Sequence, residues 1–179
     1  MPTPLVVRAR SDRQAFGELF DRTHGMIYRY CRRRVGERTA AEDACSAVFL
    51  AIAEQMSSFE GESEIDFRKW AFGVARRKTA SMVRMAERRR RLLEAAARSG
   101  TLAVEPKTEG ELSVEGVERL PSLIATLKEH EQTLLDLRYG EGLAHDEIGK
   151  VVGMRGGAVR TALCRAVAKL RRHLLAENP

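Results

Sequence analysis

Apolar residues recur along this chain at intervals of three and four, β-branched runs are short, and Ala, Leu, Glu and Arg dominate, so the pattern predicts helices almost throughout. No segment reads as a convincing strand. From Asp12 to about Arg91 the stretches AFGELF, MIYRYCRRRV, AAEDACSAVFLAIAEQM and FRKWAFGVARRKTASMVRMAERRRR follow one another across short Gly- or Ser-bearing breaks. They read as one helical domain over residues 12–91. On the third of these stretches Cys45, Val48, Phe49, Ile52 and Met56 share one stripe, leaving Asp43, Ser46, Ala47, Leu50 and Glu54 as the opposite ridge. An acid, small residues and an exposed leucine suit a protein partner better than DNA. On the next helix Phe67, Trp70, Ala71, Val74, Ala75, Met82 and Met85 share a side, with Lys69, Arg76, Arg77 and Arg84 on or near the other. The chain's single tryptophan thus reads as a core anchor that turns a basic ridge outward.

Over residues 92–118 the period fails. Gly100, Pro106, Gly110 and Gly116 interrupt it and glutamates outnumber the cations, as in a flexible acidic linker. Helical spacing resumes over 119–176, a second domain. There a short helix with Leu143, Ile148, Val151 and Val152 on its apolar face stops at Gly153, and a longer one starts within a few residues. Its apolar stripe is Val159, Leu163, Ala166, Val167, Leu170 and Leu174; its other face holds Gly157, Arg160, Thr161, Cys164, Arg165, Ala168, Arg171 and Arg172 and no acid. This is helix-turn-helix spacing, and Arg and Thr on the first turns suit a helix whose N-terminal end enters the major groove. Ala144 and Arg155-Gly156 stand where capping side chains are expected, a deficit of about 0.5–2 kcal/mol at each helix start.

A chain of 179 residues with 44% hydrophobic residues can bury a core, and its net charge of +6 points to an anionic partner, nucleic acid before an acidic membrane surface. No apolar stretch reaches the roughly 18–20 residues of a bilayer span, and the opening MPTPLVVRARSD is too soon polar for a secretory signal, so membrane insertion is not expected and a cytoplasmic location is. Cys31, Cys45 and Cys164 are far apart with no CxxC or Cys/His spacing, so neither a disulfide framework nor a metal site is expected. The four histidines are scattered, and no nucleophile motif, paired carboxylates or Gly-rich phosphate loop appears. Neither an enzyme nor a cofactor is expected.

In this order the pieces resemble the extracytoplasmic-function (ECF) group of bacterial RNA polymerase sigma factors. AFGELFDRTHGMIYRYCRRRVGERTAAEDACSAVFLAI is similar to the family's opening helices with their Ala-Glu-Asp signature. SFEGES and FRKWAFGVAR resemble its Phe-Arg-Gly and Phe-Arg-x-Trp-Leu segment, and LLDLRYGEGLAHDEIGKVVG with GAVRTALCRAVAKLRRHL resembles its terminal helix-turn-helix. The resemblance implies an all-α adaptor of two small domains that docks on core RNA polymerase and reads promoter DNA. The ridge of Asp43, Ser46, Ala47 and Leu50 would meet the β′ clamp helices. The Gly61–Asp66 loop with Arg68, Lys69, Arg76, Arg77 and Arg84 would hold the melted downstream element. The second domain would sit on the β flap with Arg155, Gly157, Arg160, Thr161, Arg165 and Arg172 at the upstream element, and an anti-sigma factor is a further partner the resemblance allows. Ser46 and Ala47 stand where the family commonly has Gln and an acid, and Arg77 where it commonly has Asn. A sigma-like DNA-binding regulator that does not engage polymerase is the alternative those ridge residues keep open.

Overall fold

The computed structural model describes residues 3–98 and 123–176, and among them every regular element is helical. A four-residue helix α1 (Leu5–Arg8) buries Val6, and Asp12 then starts α2 (Arg13–Val35) by accepting the backbone N–H groups of Gln14 at 2.8 Å and Ala15 at 3.3 Å. Those two backbone donors hold the Asp12 carboxyl below its ordinary range. Gly36, at φ 84°, ends α2 in the left-handed region and redirects the chain into α3 (Arg38–Gln55). After a short 3-10 turn (Met56–Ser58), α4 runs unbroken from Glu64 to Arg98.

Leu19, Ile27, Tyr30 and Cys31 from α2, Ala44, Val48 and Ile52 from α3, and Phe67, Ala71, Phe72, Val74 and Ala75 from α4 fill one core. Tyr30 meets Phe72 edge to face, with ring centroids 5.6 Å apart. The expected stripe on α4 holds from Phe67 to Ala75. Met85 departs from it at 70% exposure, because the bundle ends before that turn. Trp70 is half-buried, packed on Phe59 at 4.7 Å and Phe67 at 5.8 Å. The helix also continues past the boundary expected at Arg91, and beyond Arg98 the acidic stretch of the sequence lies outside the described residues.

The C-terminal half comprises α5 (Glu129–Leu135), one wide π turn (Asp136–Gly140), α6 (His145–Val152) and α7 (Gly156–Ala176). Glu131 and Glu147 compensate for the weak caps by reaching back to the N–H groups of Lys128 at 3.0 Å and Ala144 at 2.9 Å. Between α6 and α7 the chain turns through Gly153 at φ 75°, and a Cβ on buried Gly149 would lie 2.4 Å from the Met154 carbonyl oxygen. The turn can therefore be this tight only with glycine at 149. Leu134, Leu137, Ile148 and Val151 continue the core of the N-terminal half, so the two halves lie against each other along α4 and the end of α2.

Candidate nucleic-acid and protein-docking surfaces

Helix α7 buries Val159, Leu163 and Ala166 and leaves Gly157, Arg160, Thr161, Cys164, Arg165, Arg171 and Arg172 exposed, with Arg155 exposed just before it. Because the turn at Gly149 and Gly153 fixes α6 against α7, the helix shows solvent a face without a single acid. Thr161 donates its hydroxyl to the Gly157 carbonyl at 3.1 Å, and Arg160 and Arg165 stand exposed near it. At the other side of α7, Lys169 is tied to buried Glu131 of α5, and that hydrogen bond holds the Glu131 carboxyl below its ordinary range.

On α3 the ridge forms as the sequence implies: Asp43 and Ser46 are exposed, Ala47 is half-buried, and Leu50 is 63% exposed. The Ser46 hydroxyl donates to the Glu42 carbonyl at 2.9 Å, so its proton is used within the helix. Beside this ridge stands a row of rings that the sequence reading missed. Phe20, His24 and Tyr28 follow one another at four-residue steps on α2, with Phe20 and His24 packed on Phe49 at 4.5 and 5.8 Å and His24 stacked on Tyr28 at 6.2 Å. That spacing was open to inspection as a helix face. Behind the ridge, Cys31 and Cys45, expected as unrelated thiols, meet between α2 and α3; the neighbouring Cys45 sulfur, together with burial, pushes the Cys31 thiol up.

The basic side of α4 differs from the expected outward ridge. Arg77 and Arg84 are exposed, but Arg68, Lys69 and Arg76 are half-buried, because the C-terminal half covers them. Arg68 donates to the Glu141 carbonyl oxygen at 2.6 Å, Lys69 lies 3.8 Å from Glu147, and Arg84 lies 3.6 Å from Glu129. The contact extends to α2. Arg33 pairs with Asp136 at 3.3 Å and with Glu141, and Arg34 donates to Gln132 at 2.8 Å while lying 3.9 Å from Asp136. Burial pushes the Asp136 carboxyl up in spite of both arginines, and pushes the neighbouring Tyr30 phenol up to about 12. Among the described residues Arg76 and Arg77 pair with no acid; with Arg84, His130 and Met154 they line an open cleft of about 600 Å³.

Among the described residues no helix is long and apolar enough to cross a membrane. Family models for sigma-70 region 2 and sigma-70 region 4 match residues 19–89 and 123–172. The ECF RNA polymerase sigma factor ShbA of Streptomyces griseus is 31% identical over 93% of this chain and 92% of its own length. The ECF RNA polymerase sigma factor BldN of Streptomyces coelicolor is 29% identical over 95% of this chain, which spans 64% of BldN. Of solved structures, CnrH in complex with the cytosolic domain of CnrY superposes with a TM-score of 0.72 over 97% of both chains at 22% identity. The sigma factor RpoE of Bartonella quintana, crystallised with the anti-sigma factor NepR, gives 0.65 over 92% of this chain and 98% of its own at 18% identity, a likeness of fold.

Proposed function

Because the chain belongs to the ECF group of RNA polymerase sigma factors, we propose that it binds core RNA polymerase, brings it to a promoter and starts transcription there as a non-enzymatic initiation factor. The observation that carries the reading is the acid-free face of α7 held behind a glycine turn. Such a helix can enter a major groove, where an arginine fork bridges guanine O6 and N7 and neighbouring cations fix register on phosphates. Arg160, Thr161 and Arg165 read the upstream element, and Arg155, Gly157 and Arg172 approach its backbone.

The remaining surfaces divide the other tasks within two domains, 12–91 and 119–176, joined by 92–118. Asp43, Ser46, Ala47 and Leu50, with the rings of Phe20, His24 and Tyr28 beside them, take the β′ clamp helices; the second domain takes the β flap. Arg68, Lys69, Arg76, Arg77 and Arg84 hold the melted downstream element. An anti-sigma factor is a further partner, by analogy with the proteins bound to RpoE and CnrH. Run-off transcription with core polymerase from the source organism tests the whole reading. Promoter-specific transcripts that require this chain are expected; specific duplex binding without any association with core polymerase would overturn it in favour of a stand-alone regulator.

A further inference from the structure

Among the described residues Arg10, Arg34, Arg68 and Arg76 each bury an Nε that no acceptor reaches. Three of them use a terminal nitrogen instead: Arg10 donates to the Gly61 carbonyl at 2.7 Å, Arg34 to Gln132 at 2.8 Å and Arg68 to the Glu141 carbonyl at 2.6 Å. Arg76 alone of the four makes no such bond among the described residues, and it lines the open cleft of about 600 Å³ between α4 and the C-terminal half. Donors of a half-buried guanidinium are costly to leave unused, and an anion in the cleft is what would satisfy them. Two more cations face the same space. Arg77 and Arg84 are seven residues apart, hence on one face of α4 and about 10.5 Å apart along its axis. Ala80 stands between them, its small side chain leaving a notch in that face. The far wall is His130 and Leu134 of α5 with Val152 and Met154 at the turn that follows α6. Glu129 is the one carboxylate among the lining residues, 3.6 Å from Arg84 in an exposed pair of the kind that holds weakly.

We propose that this cleft is a small-molecule site for a nucleoside di- or triphosphate, with the phosphates on Arg76, Arg77 and Arg84 and the base against the far wall. Consecutive phosphates present a row of acceptor oxygens, and each guanidinium group can meet them with two parallel N–H donors. Three such groups against one carboxylate leave the cleft an excess of positive charge that only an anion of more than one charge balances. The volume is that of an ordinary small-molecule site, and such sites join an apolar wall to a few converging polar groups. Leu134, Val152 and the thioether of Met154 supply that wall, and a methionine sulfur packs well against a flat ring. Inorganic phosphate would use the cations and leave the wall idle. Because one wall belongs to α4 and the other to α5 and the α6–α7 turn, the bound nucleotide touches both halves of the chain and stabilises both.

The test titrates ATP, GTP and inorganic triphosphate separately into the full chain without polymerase, at physiological salt. Heat of binding and the emission of Trp70 are read; Trp70, the only tryptophan, lines a recess that Arg77 also lines. Saturable one-to-one binding of at least one of the two nucleotides is expected, about fivefold or more tighter than that of inorganic triphosphate, with a rise in melting temperature. R76A/R77A should weaken it at least about tenfold. H130E keeps every arginine and puts an acid on the exposed far wall, so it serves if R76A/R77A disturbs α4, and a loss of about the same size is expected. R88A/R89A removes two exposed arginines of the same helix that lie outside the cleft lining, and should leave binding unchanged. No saturable binding, inorganic triphosphate bound as tightly as either nucleotide, or equal losses in R88A/R89A and R76A/R77A would each overturn the proposal. Since binding is read on the free chain, the result does not depend on the assignment of these arginines to promoter DNA.

Discussion

Arg160 and Arg165 stand exposed on one face of α7, and each can make a bidentate contact with guanine. Replacing either with alanine should cost about 1–3 kcal/mol at a promoter that depends on the upstream element, while binding to core polymerase is retained. Competitive run-off transcription on matched and altered upstream sequences measures the loss; normal initiation by both variants would mean that α7 does not read bases. Glu131 makes a different kind of claim, on stability. Its carboxyl is held below its ordinary 4.5, first by Lys169, so the folded state binds this proton less readily than the unfolded chain. The stabilisation is therefore present above pH 4.5 and lost as pH falls through the lower folded value. Urea midpoints of wild type and E131Q should differ at pH 7 and converge as pH falls well below 4.5; a constant difference would deny the Lys169 pair its role.

Elements differ in how plainly the sequence announces them. The stripes of α3, α6 and α7 were legible because each buries one face and leaves the other to solvent, and Gly153 marked its turn because a left-handed residue there requires glycine. Helix α1, at four residues, spans barely one turn, too little for a helical period to repeat. Helix α4 misled for the opposite reason: it is covered on two sides, so Phe72 is buried against Tyr30 while Arg68 and Lys69 are half-buried beneath the C-terminal half. The ridge of α3, which we propose meets core polymerase, carries its own prediction. Since Ser46 spends its hydroxyl on Glu42 and Ala47 offers no polar group, docking there must lean on Asp43, Leu50 and the neighbouring rings. S46Q/A47E should strengthen binding to a distantly related core polymerase more than to the native one, because a new charge gains only where a basic partner waits. Dissociation constants for both cores, wild type against variant, decide it; equal gains on both would show that the ridge is not tuned to its own enzyme.

At the scale of the whole molecule, what the sequence hid is the closure. Arg33 and Glu141 are 108 positions apart, and no periodicity can report a contact at that separation. Local pattern instead favours an outward face for every arginine, and Arg34, with a side chain 3% exposed, violates it only because Asp136 and Gln132 come to meet it. Helix α4, 35 residues long and so about 52 Å from end to end, outruns the bundle it belongs to. After Arg84 its described side chains are all exposed, and its ion pairs, Arg90 with Glu87 and Glu94 and Arg91 with Glu87, stay within the helix. A helix end without tertiary support opens at little cost, and this one carries four consecutive trypsin sites, Arg88 to Arg91. Brief digestion should cut there, and the fragments should still migrate as one particle on a sizing column at low salt, parting as salt rises. Fragments that separate at once would contradict it. A chain that survives its own scission in this way is, thermodynamically, a heterodimer whose subunits share a gene, and the peptide between them sets only how concentrated each is in the presence of the other.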